Sequence, residues 1–229
     1  MYSYKIRINR FAFLCLAILT LSITGCATES HRAVPVEKVN SYNTSFTGQK
    51  TTLVVGKFQN RSSYLQGLFS SGSDRLGNQS KTILKTHLQQ TNRFTVVDRE
   101  SLAEIGQEAE LSGINQELDG ARYVVTGDVT EFGRKVTGNR QLFGILGAGK
   151  TQTAYAKVSI NIVDVVNARI VYSTQGAGEY ELSNQEVLGT GGTAGYDATL
   201  NGKVLNFAIT EVVNYLVTDI ENGNWKVDF

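Results

Sequence analysis

Residues 154–164, Ala-Tyr-Ala-Lys-Val-Ser-Ile-Asn-Ile-Val-Asp, alternate between two kinds of side chain along their whole length. One face carries only small or aliphatic side chains, at Ala154, Ala156, Val158, Ile160 and Ile162. Because successive side chains of a strand point to opposite faces, this period of two predicts a strand with one buried face. A tight turn at Asn167-Ala168 leads into a second predicted strand, 169–181, so this part of the chain predicts a long-stranded antiparallel sheet.

The remaining segments predict shorter strands and helices. Apolar runs at 52–58, 94–97 and 122–132 predict strands, and helical spacing occurs over 78–90, 98–109 and 205–220. Asp98 is the predicted N-cap of the middle helix, and Leu102, Ile105 and Ala109 are its predicted apolar stripe. The fold class predicted from these patterns is α+β, a mixed α/β domain that ends in long antiparallel strands.

The first 25 residues have the layout of a bacterial lipoprotein signal peptide. Lys5, Arg7 and Arg10 precede a mostly apolar run, 11–23, and the small residue Gly25 stands directly before Cys26. The run is too short for a transmembrane helix, which needs about 20 apolar residues. We therefore expect Cys26 to be lipidated and 26–50 to form a polar tether, followed by the folded domain at 51–229. Since Ala27 rather than Asp follows the cysteine, we expect a lipid anchor in the outer membrane and a domain that faces the periplasm.

Composition excludes several kinds of site. The chain has 22 basic and 21 acidic residues, so no basic face is predicted for nucleic acid. Only two cysteines and two histidines are present, which argues against a metal cluster, and no cofactor is expected. Residues 144–151 match the phosphate-loop pattern G-x-x-x-x-G-K-T, but a strand follows where that motif requires a helix. We expect no enzymatic activity.

Two glycine-rich segments, 131–155 and 172–200, are much longer than soluble hairpin turns require. A transmembrane strand takes about 9–11 residues, so each segment has the size of one membrane-spanning hairpin. Their apolar residues are candidates for the membrane hairpins: Phe132, Val136, Leu142 and Phe143 in the first, and Tyr180, Leu182 and Tyr196 in the second. The spacing fits long soluble loops equally well. A hairpin that enters lipid must have its edges paired, so spanning hairpins imply a ring of protomers that together form one barrel.

The order of several segments resembles the CsgG family, the outer-membrane lipoproteins that export curli subunits. Residues 92–99 (NRFTVVDR) with Leu102 resemble its strand-to-helix junction, and 121–127 (ARYVVTG) resemble the next strand. Residues 143–145 and 157–165 resemble its first membrane hairpin and the strand that leaves it. The resemblance implies a mixed α/β periplasmic domain with two long β-hairpins that contribute to an oligomeric transmembrane β-barrel.

The same resemblance implies a homo-oligomeric pore that exports unfolded polypeptide, with itself, the membrane lipid, the secreted substrate and periplasmic accessory proteins as partners. The family's channel is narrowed by a loop that carries an aromatic and an amide side chain. By position this loop would be 60–77, with Tyr64 and Phe69 as the aromatic candidates and Asn60 as the amide. The alternative is a periplasm-facing adaptor or anchor lipoprotein, similar to activators of cell-wall synthases, that binds envelope partners through exposed loops.

Overall fold

The computed structural model describes residues 36–64, 74–140, 148–186 and 200–226. Within these ranges the strands are β1 (Thr51–Asn60), β2 (Phe94–Val97), β3 (Tyr123–Arg140), β4 (Ala148–Asp164) and β5 (Ile170–Glu186). The helices are α1 (Arg75–Gln90), α2 (Leu102–Leu111) and α3 (Leu200–Glu221). The strands form one sheet in the order β2-β1-β3-β4-β5, with β1 parallel to β2 and β3, and with β3, β4 and β5 antiparallel. The α+β class predicted from sequence is confirmed at this level.

One face of the sheet holds the hydrophobic core. Helices α1 and α3 pack on this face: α1 contacts β1, and α3 contacts β4, β5 and α1. The alternating aliphatic residues of β4 are all buried, at Ala154, Ala156, Val158, Ile160 and Ile162. The stripe of α3 covers them and is equally buried, at Leu205, Ile209, Val212, Val213 and Leu216. The period-two pattern therefore identified the core face of β4.

Helix α3 lies unusually close to β5 because β5 carries glycine at the crossing. A Cβ atom built on Gly176 would lie 2.3 Å from the Ala208 carbonyl oxygen, and one on Gly178 would lie 2.7 Å from the Val204 carbonyl oxygen. No side chain fits at either distance. These two glycines set the depth at which α3 packs on the sheet.

Helix α2 differs from the sequence prediction. Asp98 does not cap it: the helix begins after Ser101, and the Asp98 carboxylate accepts instead from Glu100 N and Ser101 Oγ. None of its residues is buried, so the predicted apolar stripe does not pack on the core. The chain crosses from β1 to β2 through α1 and returns past β1 to β3 through α2.

The N-terminal part of the domain also differs from its prediction as a tether. The compact unit extends from Glu37 to Phe229, and Val39 is fully buried among its core residues. The strap, as we call residues 37–50, is held by bonds from Asn40 N to Asn214 Oδ1 (2.8 Å) and from Arg93 Nη1 to Thr44 Oγ1 (2.6 Å). A tether with these bounds would be polar and unpacked, whereas Val39 is buried in the core and Tyr42 packs against it. The segment left to act as a tether ends at 36, and 1–35, including Cys26, lie outside the described residues.

Strands β3 and β4 continue far beyond the helix-covered core. Their pairing runs from Tyr123↔Asp164 to Arg140↔Ala148, so the described parts of the 131–155 segment form the two arms of a hairpin. Residues 149–151 belong to β4, as expected for a sequence that only mimics a phosphate loop. In the second segment, β5 supplies one arm up to Glu186, and α3 begins at Leu200. The predicted return arm falls in 187–199, outside the described residues. No helix in the described part of the chain has the length and apolar character needed to cross a membrane.

Candidate functional site

The candidate channel loop leaves the domain between β1 and α1, and one carboxylate ties its two ends together. Asp74 Oδ2 accepts a hydrogen bond from Asn60 N (2.6 Å), at the end of β1. Asp74 Oδ1 accepts from Gly77 N (2.8 Å), which makes Asp74 the N-cap of α1. Asp74 therefore holds the two ends of the 61–73 segment together. Sequence reasoning missed Asp74, although an Asp directly before a helix is a recognised capping signal.

The side chain of Asn60 makes three hydrogen bonds at the start of the loop. Its Oδ1 accepts from Ser62 N (3.0 Å) and Ser62 Oγ (2.6 Å), and its Nδ2 donates to the Tyr64 carbonyl oxygen (2.8 Å). The amide therefore folds the chain back on itself at 60–64. In this structure Asn60 shapes the start of the loop.

Tyr64 lies against β3. Its ring packs on the ring of Phe132 with the centroids 4.7 Å apart, and Phe132 itself is buried. Tyr64 is only partly exposed and packs against the hydrophobic core. The contact joins the loop to β3 close to the point at which that strand leaves the core. Phe69, the other aromatic candidate, lies outside the described residues.

The hairpin candidates divide between the core and the strand extensions. Phe132 lies in the core, and Tyr180 and Leu182 pack against it. Tyr180 is stacked on Phe207 of α3 (6.1 Å), with Lys203 Nζ 4.7 Å from its ring centroid. Val136 is 57% exposed, which makes it the most exposed of the described candidates. Leu142, Phe143 and Tyr196 lie outside the described residues.

The register separates the two faces of the extensions. Residues that pair directly share a face, so Lys135, Thr153 and Glu181 form one row, and Thr137 and Thr151 pair in the next. A further row of this face carries an ion pair between Lys157 Nζ and Glu131 Oε1 (2.7 Å). The opposite face carries Val136 and Leu182, together with Arg134 and Gln152. One face of the extensions is thus mostly hydrophilic, with Tyr155 as its large aromatic side chain, and the other is mixed.

The C-terminal end of the domain is closed by an aromatic cluster with a hydrogen-bonded phenol. Trp225 contacts Tyr172 and Tyr123 at centroid distances of 5.5 and 5.6 Å. The Tyr172 hydroxyl donates to Asp219 Oδ2 (2.7 Å). Burial, and then this bond to the carboxylate, raises the pKa of Tyr172 well above its usual value. Hydrogen bonds from Asn224 and Tyr172 lower the pKa of Asp219.

A buried cation, Arg93, contributes to holding the strap. Arg93 is 7% exposed; its Nη1 donates to Thr44 Oγ1 (2.6 Å) and to the Thr91 carbonyl oxygen (2.7 Å). Its Nε donates to Glu221 Oε1 (3.2 Å), which adds the end of α3 to the same set of contacts. The strap, α1 and α3 thus meet at one guanidinium. Sequence reasoning missed Arg93 because nothing local distinguishes it from an exposed arginine.

Within the described ranges, no group of three or more histidine, cysteine or acidic side chains is arranged to hold a metal ion. The candidate site is the junction between the core and the strand extensions. Polar strand faces, the loop whose ends Asp74 holds together, and aromatic contacts all lie there. Its residues could line or narrow a passage.

Comparison with known proteins identifies the family. The model of the family "Curli production assembly/transport component CsgG" matches residues 38–228. A Neisseria meningitidis serogroup B protein named "Putative lipoprotein NMB1126/NMB1164" is 62% identical over 211 residues, covering 92% of this chain and 95% of that protein.

Two solved structures show the level of structural similarity. The PelC dodecamer from Paraburkholderia phytofirmans has a TM-score of 0.35 at 15% identity, covering 79% of this chain and 93% of that chain. Lipoprotein GNA1162 from N. meningitidis has a TM-score of 0.35 at 13% identity, covering 76% and 99%. TM-scores this low support no conclusion about this chain. The family match and the close relative confirm the resemblance seen in the sequence: the chain belongs to the CsgG family, over nearly the whole of its folded domain.

Proposed function

We propose that this protein is an outer-membrane lipoprotein whose copies form a ring-shaped pore for the export of unfolded polypeptide. The observation that carries the proposal is the continuous extension of β3, β4 and β5 beyond the part of the sheet that the helices cover. These strands have 18, 17 and 17 residues. Strands in globular domains are usually 3–10 residues long, so about half of each is not needed by the core.

The extensions have a length suited to a bilayer. Beyond the crossing with α3 at Gly178, β5 continues to Glu186, which is roughly 26 Å at about 3.3 Å per residue. A transmembrane strand needs about 9–11 residues, and the eight described residues of β5 beyond Gly178 come close to that length. Three paired strands cannot stand alone in hydrocarbon because their outer edges would leave backbone groups unpaired. Neighbouring copies would pair these edges and close a shared barrel.

The start of the strap lies near the strand extensions, which also fits insertion of these strands into a membrane. The Glu37 carbonyl oxygen accepts from Asn206 Nδ2 (3.3 Å), and α3 passes Gly178 between Val204 and Ala208. The first residue of the strap therefore lies at the level where β5 leaves the helix-covered core. About ten residues separate it from Cys26, a span of at most ~36 Å. A lipid on Cys26 would therefore be within reach of a membrane that the strand extensions enter.

The hydrophilic face of the extensions suits the inside of a pore. Within the described residues, threonine and charged side chains line most of it, beside Tyr155, and polar side chains are expected in a water-filled barrel interior. The 60–77 loop would narrow the passage below the barrel, with Phe69 as the constricting aromatic. Asn60 and Tyr64 would fix the base of the loop through their contacts with Ser62 and Phe132. Transport through such a pore would be diffusive and would need no cofactor.

A deletion of residues 134–153 tests the proposal because it removes the first hairpin and leaves the core strands. We expect the deleted lipoprotein to remain folded by circular dichroism, to lose ring assembly and to lose ion conductance in planar bilayers. Phe69→Ala is the matched point variant and should raise single-channel conductance while rings persist. A deletion variant that still forms conducting channels would refute the membrane role of this hairpin.

One observation favours the alternative function, a periplasm-facing adaptor. Arg134 and Gln152 share the mixed face of the extensions with Val136 and Leu182, whereas a lipid-facing band is normally apolar. An adaptor would keep these strands in water and bind an envelope partner with them. It would be recovered as a stable monomer in detergent, and its partner would be retained only while residues 134–153 are present.

A further inference from the structure

Helix α2 and the chain that follows it form an exposed apolar surface, which we call the α2 surface. Its large apolar side chains are Ile105, Leu111, Ile114 and Leu118, exposed by 43, 75, 64 and 58%. A ten-residue helix is only marginally stable in water without tertiary packing. Since α2 buries none of its residues in the domain, a further contact is needed to hold it.

The charged side chains within the α2 surface are all acidic, and the nearby Arg99 Nη2 donates to the Asp119 carbonyl oxygen. Residues 102–121 contain five acidic side chains and no basic one: Glu104, Glu108, Glu110, Glu117 and Asp119. In the described part of the chain, none of these five carboxylates takes part in an ion pair. The surface therefore matches a partner that is apolar and positively charged.

The turn between β4 and β5 has those properties, and we call residues 165–171 the turn surface. Its apolar side chains are Val165, Val166, Ile170 and Val171, exposed by 55, 74, 60 and 37%. Its one charged residue is Arg169, which is exposed, and it contains no acid. The neighbouring carboxylate of Asp164 is already paired with Arg122 Nη2 (2.8 Å) and accepts from Val166 N (2.7 Å). The turn is thus rigidly held and presents an apolar surface with a positive charge.

The positions of the two surfaces suit a head-to-tail contact. Helix α2 follows β2, which is one edge of the sheet, and the turn leads into β5, which is the other edge. The end of the α2 surface lies at the same end of the sheet as the turn, since Val165 N donates to the Arg122 carbonyl oxygen (3.1 Å). Two different surfaces generate a ring when each copy binds the next with the same rotation.

We propose that the α2 surface of one copy binds the turn surface of the next copy and so forms a subunit interface on the periplasmic domain. The inference rests on the proposed ring and adds a contact outside the strand extensions. The apolar side chains would supply most of the buried area, and Arg169 would face the carboxylates of α2. This contact would also allow copies to associate before their hairpins pair.

Cysteine cross-linking tests the interface in the full lipoprotein. The variants Ile114→Cys and Val166→Cys are expressed together in one cell, with tags of different size, and membranes are oxidised before electrophoresis. We expect a disulfide-linked dimer that contains one chain of each size. Each variant expressed alone, and the wild type, should give no dimer because a head-to-tail contact never brings two identical positions together. A homodimer of either variant, or the absence of the mixed dimer, would overturn the proposal.

A charge variant measures the contribution of the turn. Val166→Asp places a carboxylate opposite the acidic α2 surface and should raise the subunit concentration needed for assembly by about tenfold or more. Val36→Asp is the matched control because Val36 is similarly exposed, at 67%, and lies outside both surfaces. Equal effects of the two variants would contradict the interface. Rings without mixed cross-links would refute this contact alone, whereas mixed cross-links without a conducting ring would refute only the pore.

Discussion

Replacing Gly176 with alanine should destabilise the domain, because α3 crosses β5 at that residue. The added Cβ would lie 2.3 Å from the Ala208 carbonyl oxygen and 2.8 Å from Val212 N. Both are backbone atoms of a helix, so relief requires α3 to move away from the sheet. Overpacking of this kind costs about 1–3 kcal/mol. For a domain of this size, each kcal/mol lowers Tm by about 2–4 °C, so we expect a Tm that is roughly 2–12 °C lower.

Thermal unfolding of the full lipoprotein in detergent, followed by circular dichroism, measures this shift. Gly120→Ala is the matched control since a Cβ there would meet nothing within 4 Å, and that variant should unfold at or slightly above the wild-type temperature. A Gly176→Ala protein that unfolds within 1 °C of the wild type, taking about 1 °C as less than the smallest expected shift, would refute the close helix–strand crossing.

Three further substitutions probe the strap, the loop base and the C-terminal cluster. Arg93→Lys keeps the charge but cannot reach Thr44, Thr91 and Glu221 together, so urea unfolding should show a loss of about 2 kcal/mol. The exposed Arg75→Lys should change nothing, and equal urea midpoints would contradict the buried role. Asp74→Ala removes the cap of α1 and the bond to Asn60 N, and should lower the urea midpoint by the equivalent of about 1–2 kcal/mol with an unchanged slope. Exposed Glu37→Ala is its control, and a matching effect would contradict the assignment. Because the pKa of Tyr172 is raised on folding, its contribution to stability is present below about pH 10 and is lost as the pH rises from there toward the folded pKa. Tyr172→Phe should therefore reduce the loss of stability between about pH 9 and pH 11 relative to exposed Tyr155→Phe, and an unchanged alkaline profile would count against the buried phenol.

The core was predictable where one face of an element is buried along its whole length. The period-two pattern at 154–164 and the apolar stripe of α3 both appear in the structure as buried faces. Beyond residue 132 the pattern fails, since 133–140 is rich in glycine and charge, yet β3 continues to Arg140 because β4 pairs with it. Such pairing is non-local, and no local propensity encodes it.

The candidate site was less predictable because its residues act through distant partners. Phe132 looked like a membrane-hairpin residue, and only the fold reveals that Tyr64 covers it. The strap looked polar and unstructured because its contacts are spread over Arg93, Asn206 and Asn214, far away in sequence. The roles of Cys26 and Phe69 stay predictions.

Electron microscopy and mass measurement of the lipoprotein, extracted from membranes in detergent, test the central claim most directly. The proposed pore predicts rings of several copies with a central hole, and these rings should disappear when residues 134–153 are deleted. A monodisperse particle with the mass of one chain, 25.0 kDa before the signal peptide is removed, would contradict the pore.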